Sequence, residues 1–159
     1  QGRVLLYWNR TGLVGPEFLE RLCSALRIDK LYFRGHTDPD FANLASYQIP
    51  SRFGDTIVEY LPVFQTRQAY FDATSDANIF IAPRVVEGVG MAFLEALARG
   101  CAVFAHNRPT MNEYIISGEN GWLFTRRWNA QRVYRAARTW LALRGVTTLP
   151  RKVGDGGTA

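Results

Sequence analysis

The chain has 159 residues, 47% of them hydrophobic, which is enough for one buried core and too few for two comfortable domains. No uninterrupted apolar run approaches the roughly 20 residues of a membrane span, and the opening QGRVLLYWNR lacks the basic start, apolar run and cleavage site of a signal peptide. A soluble protein is therefore expected, and a cytoplasmic one, since Cys23 and Cys101 sit in apolar patterns that fit a reducing compartment; the net charge of +5 is carried by 17 Arg and only 2 Lys, without a nucleic-acid-binding motif beside them, so nucleic acid is not expected as a partner. The chain is either unprocessed or a piece of something longer.

Taken in order, short β-rich runs alternate with longer amphipathic ones. RVLLYW is followed by PEFLERLCSALRI, KLYFRG by the aperiodic stretch 35–55, and TIVEYLPVF by RQAYFDATSDA; then come NIFIAP, MAFLEALARG and CAVFA. Strands alternating with helices predict an α/β fold with a parallel sheet covered by helices on both faces. NIFIAP and CAVFA are apolar throughout, as central strands buried on both sides are. Pro16 suits a helix start and Gly100 a helix stop.

The stretch GHTDPDFANLASYQIPSRFGD, residues 35–55, reads as a surface excursion, mobile or functional. The last predicted helix is NAQRVYRAARTWLALR, and GVTTLPRKVGDGGTA reads as a loose tail. The expected organisation is one unit over residues 1–145 and a flexible tail over 146–159. Six arginines lie between Arg126 and Arg144. They read first as a solvated helix face, and after that as a peripheral contact with an anionic membrane, at its cytoplasmic face, or with a protein partner.

The chemistry concentrates in EGVGMAFLEALARG, Glu87 to Gly100. Glu87 falls in the loop after the strand NIFIAP, at the carboxyl edge where open α/β sheets bind ligands. Gly88 and Gly90 permit unusual torsions and close approach, and a helix starting near Met91 offers unpaired N–H groups and a partial positive charge that attract phosphate. Glu95 lies about 6 Å further along the axis, at roughly 1.5 Å per residue. Its neighbours Met91, Phe93, Leu94, Ala96, Leu97 and Ala98 are apolar or small, so its carboxylate needs donors or solvent. A vicinal diol, as on a ribose, supplies two hydroxyl donors. The same spacing is open to a plainer account in which Glu87 caps the helix and Glu95 points outward.

The wider block PRVVEGVGMAFLEALARGCAVFAHNRPTMNEYIISGENGWLF resembles the donor-binding half of retaining GT-B glycosyltransferases of the GT4-like group (glycosyltransferase group 1). Pro83, Glu87, Gly88, Gly90, Glu95, Gly100, Glu113, Gly118, Asn120, Gly121 and Leu123 stand where that family has its Pro, its EGxG, its helix Glu, its small-residue stop, a Glu in a short helix and its GxNGxL. More weakly, residues 3–140 follow the family's order of elements. Tyr60, Leu61 and Pro62 fall where it often lines a nucleobase pocket, and Trp8-Asn9-Arg10 resembles the end of its first strand.

The resemblance implies a Rossmann-like sheet forming one half of a GT-B fold, and hexosyltransferase-like transfer from a nucleotide-diphosphate sugar to an acceptor held by an N-terminal domain absent from this chain. It implies Glu95 on the ribose hydroxyls, the backbone of Gly88, Val89, Gly90, Met91 and Ala92 at the sugar and pyrophosphate, and Glu87 near the transferred sugar. Arg10 would offset charge developing on the diphosphate. It also implies metal-independence and no cofactor beyond the donor substrate. Two features depart from the family. NRTGLVGPEF lacks the Lys that usually follows the first-strand Arg, leaving Arg34 or Arg84 as substitutes, and one Rossmann-like half takes the place of two. The missing Lys feeds a rival reading, a non-catalytic GT-B-like binding or scaffolding module. A dinucleotide-binding dehydrogenase half is a third.

Other signals carry less. Asp38-Pro39-Asp40 has DxD spacing but reads as a turn split by proline. Asp72 and Asp76 read as a solvated face of a predicted helix, four residues apart. His36 and His106 lack partners at metal-ligand spacing, although His106 closes CAVFA at the ligand-binding edge. Cys23 and Cys101 read as buried thiols. The GVG of the loop is not a dinucleotide fingerprint, because Phe93 replaces the third glycine.

Overall fold

The computed structural model describes residues 2–9, 14–35, 48–125, 135, 136 and 139. Arg10, His36, Asp38 and Asp40, most of the last predicted helix and the predicted tail lie outside the described residues; Arg135, Ala136 and Thr139 of that helix are helical.

Seven strands form one sheet: β1 (Val4–Trp8), β2 (Lys30–Arg34), β3 (Arg52–Phe53), β4 (Thr56–Tyr60), β5 (Ile79–Ala82), β6 (Ala102–His106) and β7 (Gly121–Phe124), in the order β3-β4-β2-β1-β5-β6-β7. All neighbours pair in parallel except β3, which pairs antiparallel with β4. The chain runs outward from β1 through β2 to β4, then returns to β5 beside β1 and runs outward the other way. This is the doubly wound order of a Rossmann-like fold, and it opens a crevice between the carboxyl ends of β1 and β5.

Helices cover both faces, which is why the strands are apolar throughout. Leu5, Tyr7, Leu31, Phe33, Ile79, Ile81, Ala102 and Phe104 share one core with Leu19, Leu22, Cys23 and Leu26 of α1 (Pro16–Leu26). Their strand neighbours Val4, Leu6, Tyr32, Phe80, Ala82, Val103 and Ala105 point the other way, to α3 (Met91–Ala98) and α4 (Met111–Tyr114), and share a second core with Phe93, Ala96, Met111 and Ile115. Each fully buried Leu or Phe contributes about 1.5–3 kcal/mol relative to exposure.

Helix ends follow the expected chemistry in part. Pro16 opens α1. Beyond Ala98, Gly100 takes φ 78° and the N–H groups of Cys101 and Gly100 donate to the carbonyls of Ala96 and Leu97, a Schellman closure. α1 closes in the same pattern, but Arg27 takes the left-handed φ of 50° that glycine usually fills.

Two features depart from the sequence expectation. Arg52–Phe53 in the aperiodic stretch adds an edge strand. Asp76 is not on a helix face: α2 (Arg67–Ala73) stops early, at a buried Thr74 whose hydroxyl donates to the Tyr70 carbonyl and which receives donors from Arg99. Asp76 instead accepts from Lys30 Nζ at 3.0 Å and from the Tyr32 hydroxyl at 2.8 Å. Burial would raise its carboxyl pKa, but these hydrogen bonds and the Lys30 charge outweigh burial and lower it. Asp72 stays on the exposed side of α2, accepting from Gln68 at 2.7 Å.

Candidate functional site

The start of α3 is set by glycine. Gly90 is its N-cap at φ 71°, in the left-handed region, and makes no side-chain cap. Its lack of a side chain also matters for packing, since a Cβ there would fall 2.0 Å from the Phe93 ring. Gly88 differs: its torsion is ordinary and a Cβ would meet nothing within 4 Å. The first-turn amides of Met91 and Ala92 have no acceptor upstream within the helix.

Those two residues and Glu95 line a cavity of about 400 Å³ at the carboxyl edge of the sheet, beside the ends of β1 and β2. Trp8 and Arg34, the last residues of β1 and β2, form another wall, and Phe64, Gln65, Thr66, Arg67 and Tyr70 complete it. A shallow depression adjoins the cavity, sharing Trp8 and Ala92 with it, and is lined by Pro83, Arg84, Glu87 and Phe93 among others. A larger groove, about 670 Å³, lies between α1 and the β3–β4 turn. It sits at the amino ends of β2 and β4, the edge at which such sheets do not bind ligands, so size alone does not select it.

The two glutamates have arginine partners. Glu95 Oε1 meets Arg67 Nη2 at 2.6 Å, and the Glu95 side chain is only 19% exposed, so it does not point outward. Glu87 Oε2 accepts from Arg84 Nη1 at 3.2 Å, with the pair largely buried, and it does not cap α3. The Arg34 guanidinium stacks 3.9 Å over the Trp8 ring and lies 5.8 Å from that of Tyr70. Burial raises the Tyr70 phenol pKa, keeping the ring a neutral wall.

The loop around Glu87 is held from α4. Thr110 Oγ1 lies 3.0 Å from the carbonyl oxygens of both Glu87 and Gly88, with its own backbone at an unusual φ of 74° for a β-branched residue. Val86 and Val89 of this loop are exposed.

The remaining motif positions are structural. The Glu113 carboxylate accepts from the Thr110 N–H at the start of α4. Asn120 closes the following turn, its Oδ1 accepting from Ile116 N–H and its Nδ2 donating to the Tyr114 carbonyl, while Gly118 takes φ 93°. A Cβ on Gly121 would fall 2.1 Å from the Val103 carbonyl oxygen. Tyr60 and Leu61 are also internal: the Tyr60 hydroxyl bonds Ile49, Leu61 is buried, and neither they nor Pro62 are among the described residues lining the cavity. The residues just after them do so instead. His106 closes β6 away from the cavity, and burial, then Arg108, lowers its pKa. Among the described residues no three His, Cys, Asp or Glu converge as a metal site, and no helix is long and apolar enough to cross a membrane.

A family model described as glycosyl transferases group 1 matches residues 62–157, which include β5, the EGVG loop, α3 and the GENG turn. The chain belongs to that family. No curated protein matches the chain. Among solved structures, WaaG, a glycosyltransferase involved in lipopolysaccharide biosynthesis, aligns at TM-score 0.59 and 19% identity, over 92% of this chain and 40% of WaaG. The C-terminal domain of the group 1 protein LpcC from Francisella tularensis aligns at 0.64 and 20%, over 88% of this chain and 75% of that one. The pneumococcal O-GlcNAc transferase GtfA, solved with UDP and GlcNAc, aligns at 0.58 and 16%, over 92% of this chain and 30% of GtfA. These likenesses establish the shared fold, one half of GT-B architecture, and the chain spans less than half the length of WaaG and of GtfA.

Proposed function

We propose that this chain is the donor-binding half of a retaining glycosyltransferase that moves a sugar from a nucleotide-diphosphate sugar to an acceptor held by a second, N-terminal half. The observation that carries the reading is the cavity at the carboxyl ends of β1 and β2, which Met91 and Ala92 of the first turn of α3 line together with Glu95. Amides at a helix start suit a diphosphate, and a carboxylate one turn on suits the paired hydroxyls of its ribose. Membership of the group 1 family and the UDP bound to GtfA support the same ligand class.

In this reading the backbone of Gly88 to Ala92 meets sugar and pyrophosphate, and Glu87, held by Arg84, stands near the transferred sugar. As the bond from the anomeric carbon to the diphosphate oxygen breaks, negative charge grows on the leaving group. Arg10 and Arg34 offset it together with the helix dipole, without need of a divalent cation. A cytoplasmic setting, where nucleotide sugars are made available, fits two thiols kept reduced.

A rival reading, a non-catalytic binding module, draws on the fact that both glutamates already have arginine partners. Calorimetric titration of the chain with UDP, GDP, ADP and their sugars separates the two. Binding that disappears in Glu95→Ala supports the enzyme half, and absence of binding to every one of them supports the module.

A further inference from the structure

Arg67 is the first residue of α2, a position where the helix dipole disfavours a cation. The helix start does not need it, because Thr66 already caps the helix by accepting from the Ala69 N–H at 3.1 Å. No acidic residue in the first turn of α2 compensates it either. Its guanidinium reaches across to α3 instead, meeting Glu95 Oε1 at 2.6 Å while lying 5.2 Å from the centre of the Phe71 ring one turn further along its own helix. Arg67 therefore sits against local helix preference, and its contacts are with the site.

The contact between Arg67 and Glu95 is made to one carboxylate oxygen. An ionised carboxylate has about four lone-pair positions over two oxygens, so a single-oxygen contact leaves capacity for two hydroxyl donors, which a bidentate arginine fork would largely consume. Arg67 is the more exposed partner, 60% against 19%, so it stands at the rim while Glu95 is recessed. A flexible glutamate in an apolar stretch of helix would otherwise sample several rotamers, and fixing it from the rim leaves fewer to lose when a ligand binds.

We infer that Arg67 is a positioning residue: it holds Glu95 in the orientation that reads the vicinal diol of a nucleoside, and so sets discrimination between ribose and 2′-deoxyribose. This deepens the nucleotide-sugar reading and rests on it. Arg67 also lines the cavity, so the ratio between ribose and 2′-deoxyribose forms of one nucleotide, in which any effect on the shared diphosphate cancels, is the readout of its contact with Glu95.

The test is calorimetry on the chain with UDP, GDP and ADP, each against its 2′-deoxy counterpart, for wild type, Glu95→Gln, Arg67→Gln and Arg67→Lys. Thermal melts confirm that each variant folds. Wild type is expected to prefer the ribose form by about tenfold or more. Glu95→Gln and Arg67→Gln bring that ratio towards one, and Arg67→Lys, which keeps a charge at the rim, retains part of it. Arg67→Gln with the ratio unchanged, or with tighter binding as expected of a plug that competes for Glu95, overturns the inference while leaving the nucleotide-sugar reading intact. Failure of wild type to bind any of the three nucleotides removes that reading itself, and the inference with it.

Discussion

Replacing Gly90 with alanine separates the two glycines of the EGVG loop by their physical roles. At φ 71° any side chain is strained, which costs about 1–2 kcal/mol. The added Cβ would also fall 2.0 Å from Phe93 Cε1 and 2.7 Å from two further ring atoms, and Phe93, 1% exposed, has nowhere to turn without moving the core around it. Overpacking of this kind costs about 1–3 kcal/mol, so Gly90→Ala is expected to lose about 2–5 kcal/mol in urea unfolding. Gly88→Ala is the internal control. Its Cβ enters open space at an ordinary torsion, so stability changes by no more than about 0.5 kcal/mol, while under the proposed function, in which the Gly88 backbone meets the donor, nucleotide binding is expected to weaken by about tenfold. A loss below about 1 kcal/mol for Gly90→Ala, or equal losses for the two variants, would refute the assignment.

Arg27→Gly relieves a left-handed residue at the end of α1 and is expected to raise stability by about 1 kcal/mol, visible as a higher melting temperature; a lower one would show that the exposed Arg27 side chain makes up for its strain. Thr110→Val keeps the shape but removes the hydroxyl that serves the Glu87 and Gly88 carbonyls, and should cost about 1–2 kcal/mol in denaturant unfolding. His106, whose folded pKa lies below its ordinary 6.5, binds a proton more readily when unfolded. Stability should therefore fall as pH drops from about 6.5 towards the lowered value, with His106 contributing no slope well above 6.5; His106→Gln should remove that part of the slope below about pH 6.5, and an unchanged slope contradicts the assignment.

The α/β class and the stretch that carries the candidate site could be read from the sequence because both depend on local pattern. Strands buried on two faces are apolar in every position, and Glu87, Gly88, Gly90 and Glu95 fall on one loop and the helix it enters. What escaped reading depends on contacts distant in sequence. β3 is the exception, a local hairpin with β4 that is only two residues long and so too short to leave a periodic pattern. The early end of α2, which moved Asp76 off the helix and onto Lys30 and Tyr32, is tied to Arg99 reaching Thr74 from the end of α3. The cavity walls supplied by Phe64 and Tyr70 carry no motif of their own in the sequence. Arg67 left one faint local trace, a cation at a helix start, and its partner Glu95 comes from another helix. Conversely, Glu113, Asn120 and Gly121 belong to the same motif block as the site, and their contacts assign them to building α4 and its turn.

Amide NMR during titration with UDP bears most directly on the central claim. Binding through the start of α3 predicts the largest shifts at Gly88, Met91 and Ala92, with Glu95 and Arg67 following. Shifts concentrated at Gly54, Asp55 and Thr56 in the groove at the opposite edge, or none at saturating nucleotide, would contradict it.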